Sequence, residues 1–70
     1  MKELLSKLEK YEQHDHRYHA LLLEHTDDII KEVGMTSKTN VANLLDMKPQ
    51  KFSTVFQLLL GYKHLKDSHA

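Results

Sequence analysis

Seventy residues without a cysteine cannot be stapled by disulfides, and a chain this short buries only about 60% of the surface its unfolded form exposes. Stability must therefore come from well-packed helices, a metal or a second subunit. Leu, Ile, Val and Phe make up 19 of the residues, above the level of a disordered chain, yet no apolar run approaches the roughly 18 residues that span a bilayer.

Two glycines and one proline leave little room for turn-rich β structure or a phosphate-cradling loop. No nucleophile motif such as Gly-x-Ser-x-Gly occurs, so neither catalysis nor a cofactor is expected. The N-terminus enters a charged helical pattern at once and lacks the apolar core of a signal peptide. A soluble, cytoplasmic protein is the expectation.

Helical periodicity starts immediately: Leu4, Leu8, Tyr11, Tyr18, Leu22, Ile29 and Val33 share one stripe at steps of three and four. Asp15 interrupts it. Either the helix breaks near Gln13-His14 and Asp15 caps a second helix, or Asp15 is paired with a Tyr or His; the break is favoured. Thr26 is a further candidate cap, followed by Asp27 and Asp28, which suit a helix N-terminus. Gly34 reads as the stop after Val33.

Thr36-Ser37 offers an N-cap for a short helix over about 38–45, with Val41, Leu44 and Leu45 on its inner face. Asp46-Met47-Lys48 is a tight connection, and Pro49 suits the first position of the next helix. That helix runs through Leu60 with Gly61 as its end, burying Phe52, Val55, Phe56 and Leu59 at i, i+3, i+4 and i+7. Residues 62–70 read as a tail with at most a short helical turn. The fold class is all-α: a small bundle of four to five helices, oligomeric, divided as 1–33, 34–61 and 62–70.

Two short helices joined by about three residues, with this apolar spacing, form a helix-turn-helix pattern. The stretch from Thr39 to Gln57 resembles that motif in phage and bacterial regulators. Ala42 stands where they keep a small residue, Leu45 is the buried residue before the turn and Met47 the apolar plug after it. Phe52 and Val55 take the buried positions of the recognition helix. From Ile29 to Gly61, chiefly at Lys51-Phe52-Ser53 and the apolar run after it, the chain is most similar to the lambda CII-type activators. Asp46 departs from the usual Gly of the turn, and Phe52 is larger than the usual Val or Ile. Residues 1–25 have no counterpart in that family. The resemblance implies binding to double-stranded DNA.

Charge is balanced overall but polarised. Residues 1–33 carry five cations against eight carboxylates, and residues 34–70 carry five against two. An anion would therefore meet the C-terminal half. Projected at 100° per residue from Phe52, the outward arc of the second helix is Gln50, Thr54 and Gln57, flanked by Lys51 and Ser53. Gln bonds bidentately to adenine, Lys reaches guanine or phosphate, and Ser and Thr bond to either. Lys38, Thr39 and Lys48 sit by two helix N-termini, where phosphates are held. The expected DNA-binding set is Lys38, Thr39, Lys48, Gln50, Lys51, Ser53, Thr54 and Gln57. No acidic residue lies between Lys48 and Lys66.

Three lysines give a thin electrostatic footprint, which a homo-oligomer would double. The triplets Leu21-Leu22-Leu23 and Leu58-Leu59-Leu60 place leucine on more than one side of their helices, so Leu22, Leu58 and Leu59 are assigned to an oligomer interface. Six histidines are unusual. His14, His16 and His19 are spaced closely enough to gather around zinc or nickel, but nothing completes a recognised site, and no metal is expected.

The reading is a small sequence-specific DNA-binding regulator. Its rival is a helical module that docks on a host protein without DNA, through its acidic N-terminal part and its leucine patches.

Overall fold

A computed structural model describes residues 1–68. It holds five helices, α1 Lys2–Leu8, α2 His16–Glu24, α3 Thr26–Met35, α4 Lys38–Leu44 and α5 Pro49–Ser68, and no strand among the described residues. The chain is all-α.

The N-terminal stripe is cut ahead of Asp15, and earlier than the expected break near Gln13-His14: α1 ends at Leu8 and α2 begins at His16. Asp15 takes an extended conformation (φ −74°, ψ 130°), and its Oδ1 accepts the Arg17 backbone N–H at 2.9 Å. This satisfies one orphan donor of α2. Arg17 folds back on the same carboxylate, donating from Nε at 3.2 Å and Nη2 at 2.8 Å, with its guanidinium 4.8 Å from the centre of the Tyr11 ring. The seven residues of α1 are too few to stand as an isolated helix; Leu4 and Leu8, both buried, pin it to the rest.

One residue, His25, separates α2 from α3. Thr26 is the first residue of α3 and not its cap: it is buried, and its hydroxyl donates to the Leu23 carbonyl at 2.6 Å. Asp27 and Asp28 do lie in the first turn. Gly34 does not stop α3, which continues to Met35. The end comes at Thr36, whose N–H and hydroxyl both donate to the Glu32 carbonyl, each at 2.9 Å.

Ser37 caps α4, its Oγ accepting the Asn40 N–H at 3.0 Å. The inner face of α4 is Val41, Ala42 and Leu45; Leu44, expected there, is exposed. The turn after α4 closes through two bonds, Met47 N–H to the Ala42 carbonyl at 2.8 Å and Asp46 N–H to the Asn43 carbonyl at 3.1 Å. This is the Schellman arrangement, which requires a left-handed residue between. Asp46 supplies it at φ 56°.

Pro49 opens α5, where its missing N–H costs nothing. Gly61 does not end this helix; it continues to Ser68 without a break. At 1.5 Å per residue α5 is about 30 Å long, nearly the 32 Å of the whole molecule. Helices α3 and α4 pack along it. Phe52 stacks on Phe56 at 5.8 Å between ring centres, and Lys63 of α5 donates to Asp27 of α3 at 2.7 Å.

The core is a single cluster drawn from every helix: Leu4, Leu8, Tyr18, Leu22, Ile29, Val41, Ala42, Leu45, Met47, Phe52, Phe56 and Leu59. Each fully buried Leu, Ile or Phe contributes roughly 2 kcal/mol. Leu22 and Leu59, assigned from sequence to an oligomer interface, belong to this core at 2% exposure. They close the chain's own interior and are not free for a partner.

Candidate nucleic-acid interface

Burial of one face of α4 and α5 decides what the other face presents. Val41, Ala42, Leu45, Met47, Phe52 and Phe56 point inward. Lys38, Thr39, Lys48, Gln50, Lys51, Ser53, Thr54 and Gln57 are all exposed. Thus the structure leaves every residue of the expected DNA-binding set at the surface.

Their positions follow from local chemistry. The Ser37 cap starts α4 so that Lys38 and Thr39 fall in its first turn. The Lys38 ammonium lies 5.2 Å from the centre of the Phe56 ring, a contact that ties the start of α4 to α5. Lys48 accepts the Phe52 N–H on its carbonyl at 3.0 Å, so it stands at the entrance to α5, with Gln50 and Lys51 in the first turn. Thr54 donates back to the Gln50 carbonyl at 3.4 Å, and the Gln50 and Gln57 side chains are exposed.

Sequence reasoning missed Gln13. Its Nε2 donates to the Leu45 carbonyl at 3.0 Å and to the Asp46 carbonyl at 2.7 Å, and its Oε1 accepts from Lys51 Nζ at 3.4 Å. The buried Tyr18 hydroxyl donates to the same Leu45 carbonyl at 3.3 Å. The α1–α2 connection thereby holds the α4–α5 turn and one lysine of the exposed face. These contacts cross 27 to 38 residues, and no local spacing signals them.

The electrostatics separate two regions. Around the turn, burial raises the Tyr18 phenol above its ordinary pKa, helped by the nearby Asp46 charge. At the α2 start, the hydrogen bonds from Arg17 hold the Asp15 carboxyl well below the usual carboxylate range. Lys63 lowers Asp27 by the same kind of bond. The lysines of the candidate face meet one carboxylate close in sequence, the exposed Asp46 beside Lys48.

Among the described residues no three or more His, Asp or Glu side chains gather in a way that could hold a metal. His14, His16 and His19 are each exposed, His14 next to Glu12 and His16 next to Asp15. His69 lies outside the described residues. No helix among them is long and apolar enough to cross a membrane.

Leu58, the third residue assigned to an oligomer interface, is 67% exposed. Comparison with known proteins finds no family model, curated protein or solved structure that matches this chain.

Proposed function

We propose that this chain is a small sequence-specific DNA-binding transcriptional regulator of phage or mobile-element type, cytoplasmic and non-enzymatic, acting as a homo-oligomer. In this reading α4, the Asp46 turn and α5 serve as a helix-turn-helix, and the first half of α5 enters the major groove. Gln50 and Gln57 read adenine, Lys51 reads guanine or grips phosphate, and Ser53 and Thr54 complete the base contacts. Lys38, Thr39 and Lys48 bind the backbone and set the register.

One observation carries it: eight polar or basic side chains stand exposed on a pair of helices whose other face is packed in the core, six of them on a stretch without a carboxylate from Lys48 to Lys66. The resemblance of Thr39–Gln57 to phage regulators supports the type. The exposed apolar surface of Leu58, Tyr62 and Leu65 favours a second reading, a module that docks on another protein.

Salt separates the two, because binding that neutralises phosphates weakens steeply as salt rises and docking by leucine does not. Selection from random-sequence DNA at about 100 mM salt should enrich one site. Replacing Gln50→Ala and Lys51→Ala together should abolish that enrichment with the helical circular dichroism unchanged. Lys51→Ala alone should reduce the salt slope by about 1. Failure of the wild-type chain to enrich any site removes the DNA reading.

A further inference from the structure

The second half of α5 is more apolar than one core needs. Leu58 and Leu65 are 67% and 61% exposed, Tyr62 40%, and Leu23 of α2, lying beside them, 38%. They line two adjoining hollows of about 260 and 620 Å³. At 100° per residue Leu58, Tyr62 and Leu65 share one stripe of α5, and Gly61 sits at its edge with open space where a Cβ would be.

We propose that this face binds a second copy of the chain, α5 against α5 and antiparallel. Area is the first argument. At these exposures the four side chains leave on the order of 400 Å² of apolar surface, as large as functional patches on monomers. An interface of ordinary apolar content built around it covers about 650 Å² per partner, within the range of stable complexes.

Self-complementarity is the second. A twofold axis passing between Gly61 and Tyr62 sets Leu58 of each copy against Leu65 of the other. It also sets each Tyr62 over the space left by the other copy's Gly61. Lys63, the one Lys, Arg, Asp or Glu from Leu58 to Leu65, lies off the stripe at 100° per residue and pairs with Asp27 of α3, so the pairing brings no like charges together at its centre, and the antiparallel helix dipoles favour it.

Direction is the third, and this part rests on the DNA reading. Within the Gln50–Thr54–Gln57 arc, Gln50 and Gln57 lie roughly 90° around α5 from the leucine stripe and Thr54 about half that, with Gln57 at the edge of the larger hollow. Antiparallel pairing has its twofold axis perpendicular to the helices and turns both arcs to the same side. A parallel pair would turn them to opposite sides. The two Gln50 positions then lie about 35 Å apart along the paired axes, the separation of successive major-groove faces.

The test uses the full chain without DNA, so its failure is distinct from a failure of the DNA reading. Sedimentation equilibrium from micromolar to millimolar protein should show a monomer–dimer equilibrium. Leu58→Glu should weaken it on the order of a hundredfold, since each dimer loses two buried leucines, and the exposed position keeps the fold intact by circular dichroism. Because the chain has no native cysteine, crosslinking then fixes direction. A Leu58→Cys, Leu65→Cys double variant should oxidise to a covalent dimer, and Leu58→Cys alone should not. A wild-type chain that stays monomeric throughout gives the face to another occupant and overturns the proposal. So does a dimer indifferent to Leu58→Glu, or efficient crosslinking by Leu58→Cys alone, which marks a parallel pair.

Discussion

Asp46 shows what one side chain contributes at the point where the chain must reverse. Its φ of 56° costs an ordinary L-residue roughly 1–2 kcal/mol, and Asp and Asn less than most because a short polar side chain bonds locally. The Schellman bonds on either side and the two Gln13 bonds hold it there. Asp46→Asn should therefore leave stability within about 0.5 kcal/mol, whereas Asp46→Val, β-branched, should lower it by about 1–2 kcal/mol. Urea unfolding followed by circular dichroism checks both. Equal losses would show that the turn does not depend on left-handed tolerance. The turn was legible because Asp46 sits between two apolar, helix-patterned stretches. Gln13 was not, since a glutamine beside a helix break looks the same whether it faces water or a carbonyl 32 residues away.

At the scale of the element, three helix starts obeyed local chemistry, whereas Thr26 did not cap α3 and the two glycine stops did not hold. Asp15, Ser37 and Pro49 open α2, α4 and α5 where caps and a first-turn proline are expected. Gly34 and Gly61 were read as ends and lie inside helices. Glycine permits a left-handed stop but does not compel one. In α5, Lys63 beyond Gly61 pairs with Asp27, which holds helical turns that the glycine alone would loosen. The capping aspartate gives this scale its prediction. Asp15 is depressed in the folded chain by the Arg17 hydrogen bonds. Its contribution is thus present above the unfolded carboxyl pKa near 3.9 and is lost as pH falls through the lower folded value. Thermal midpoints should decline below about pH 4, and Asp15→Asn, which still caps, should flatten that decline. An unchanged acid limb in the variant would assign the loss to other carboxylates such as Asp27, lowered by Lys63.

For the whole molecule, stability rests on one small core, and Phe52 lies at its centre, fully buried and stacked on Phe56. Phe→Ala in such a site costs about 3–5 kcal/mol, against a total near the lower end of about 5–15 kcal/mol for a chain this short. Phe52→Ala should thus be largely unfolded or molten, with broad thermal transitions and any DNA binding lost through the fold. A sharp, near-native transition would show that the core can re-form around the gap. The comparison with Leu58→Glu separates fold from surface, since that side chain is 67% exposed.

What the sequence determined by itself is what neighbours within a few residues can settle. The all-α class, a break ahead of Asp15, the Ser37 cap, the reversal at Asp46 and the inward positions Phe52, Phe56 and Val41 all follow from periodicity and capping. Tertiary structure decided the choices that periodicity leaves equal. Leu59, which its spacing from Phe52 placed inward and the oligomer assignment placed outward, entered the core, and Leu58 stayed outside. Leu22 was claimed by the same interior, Leu44 was left out of it, and α5 ran on past Gly61. Each of these outcomes depends on surfaces brought together from distant parts of the chain, and burial there outweighs the weak local preference of any single residue.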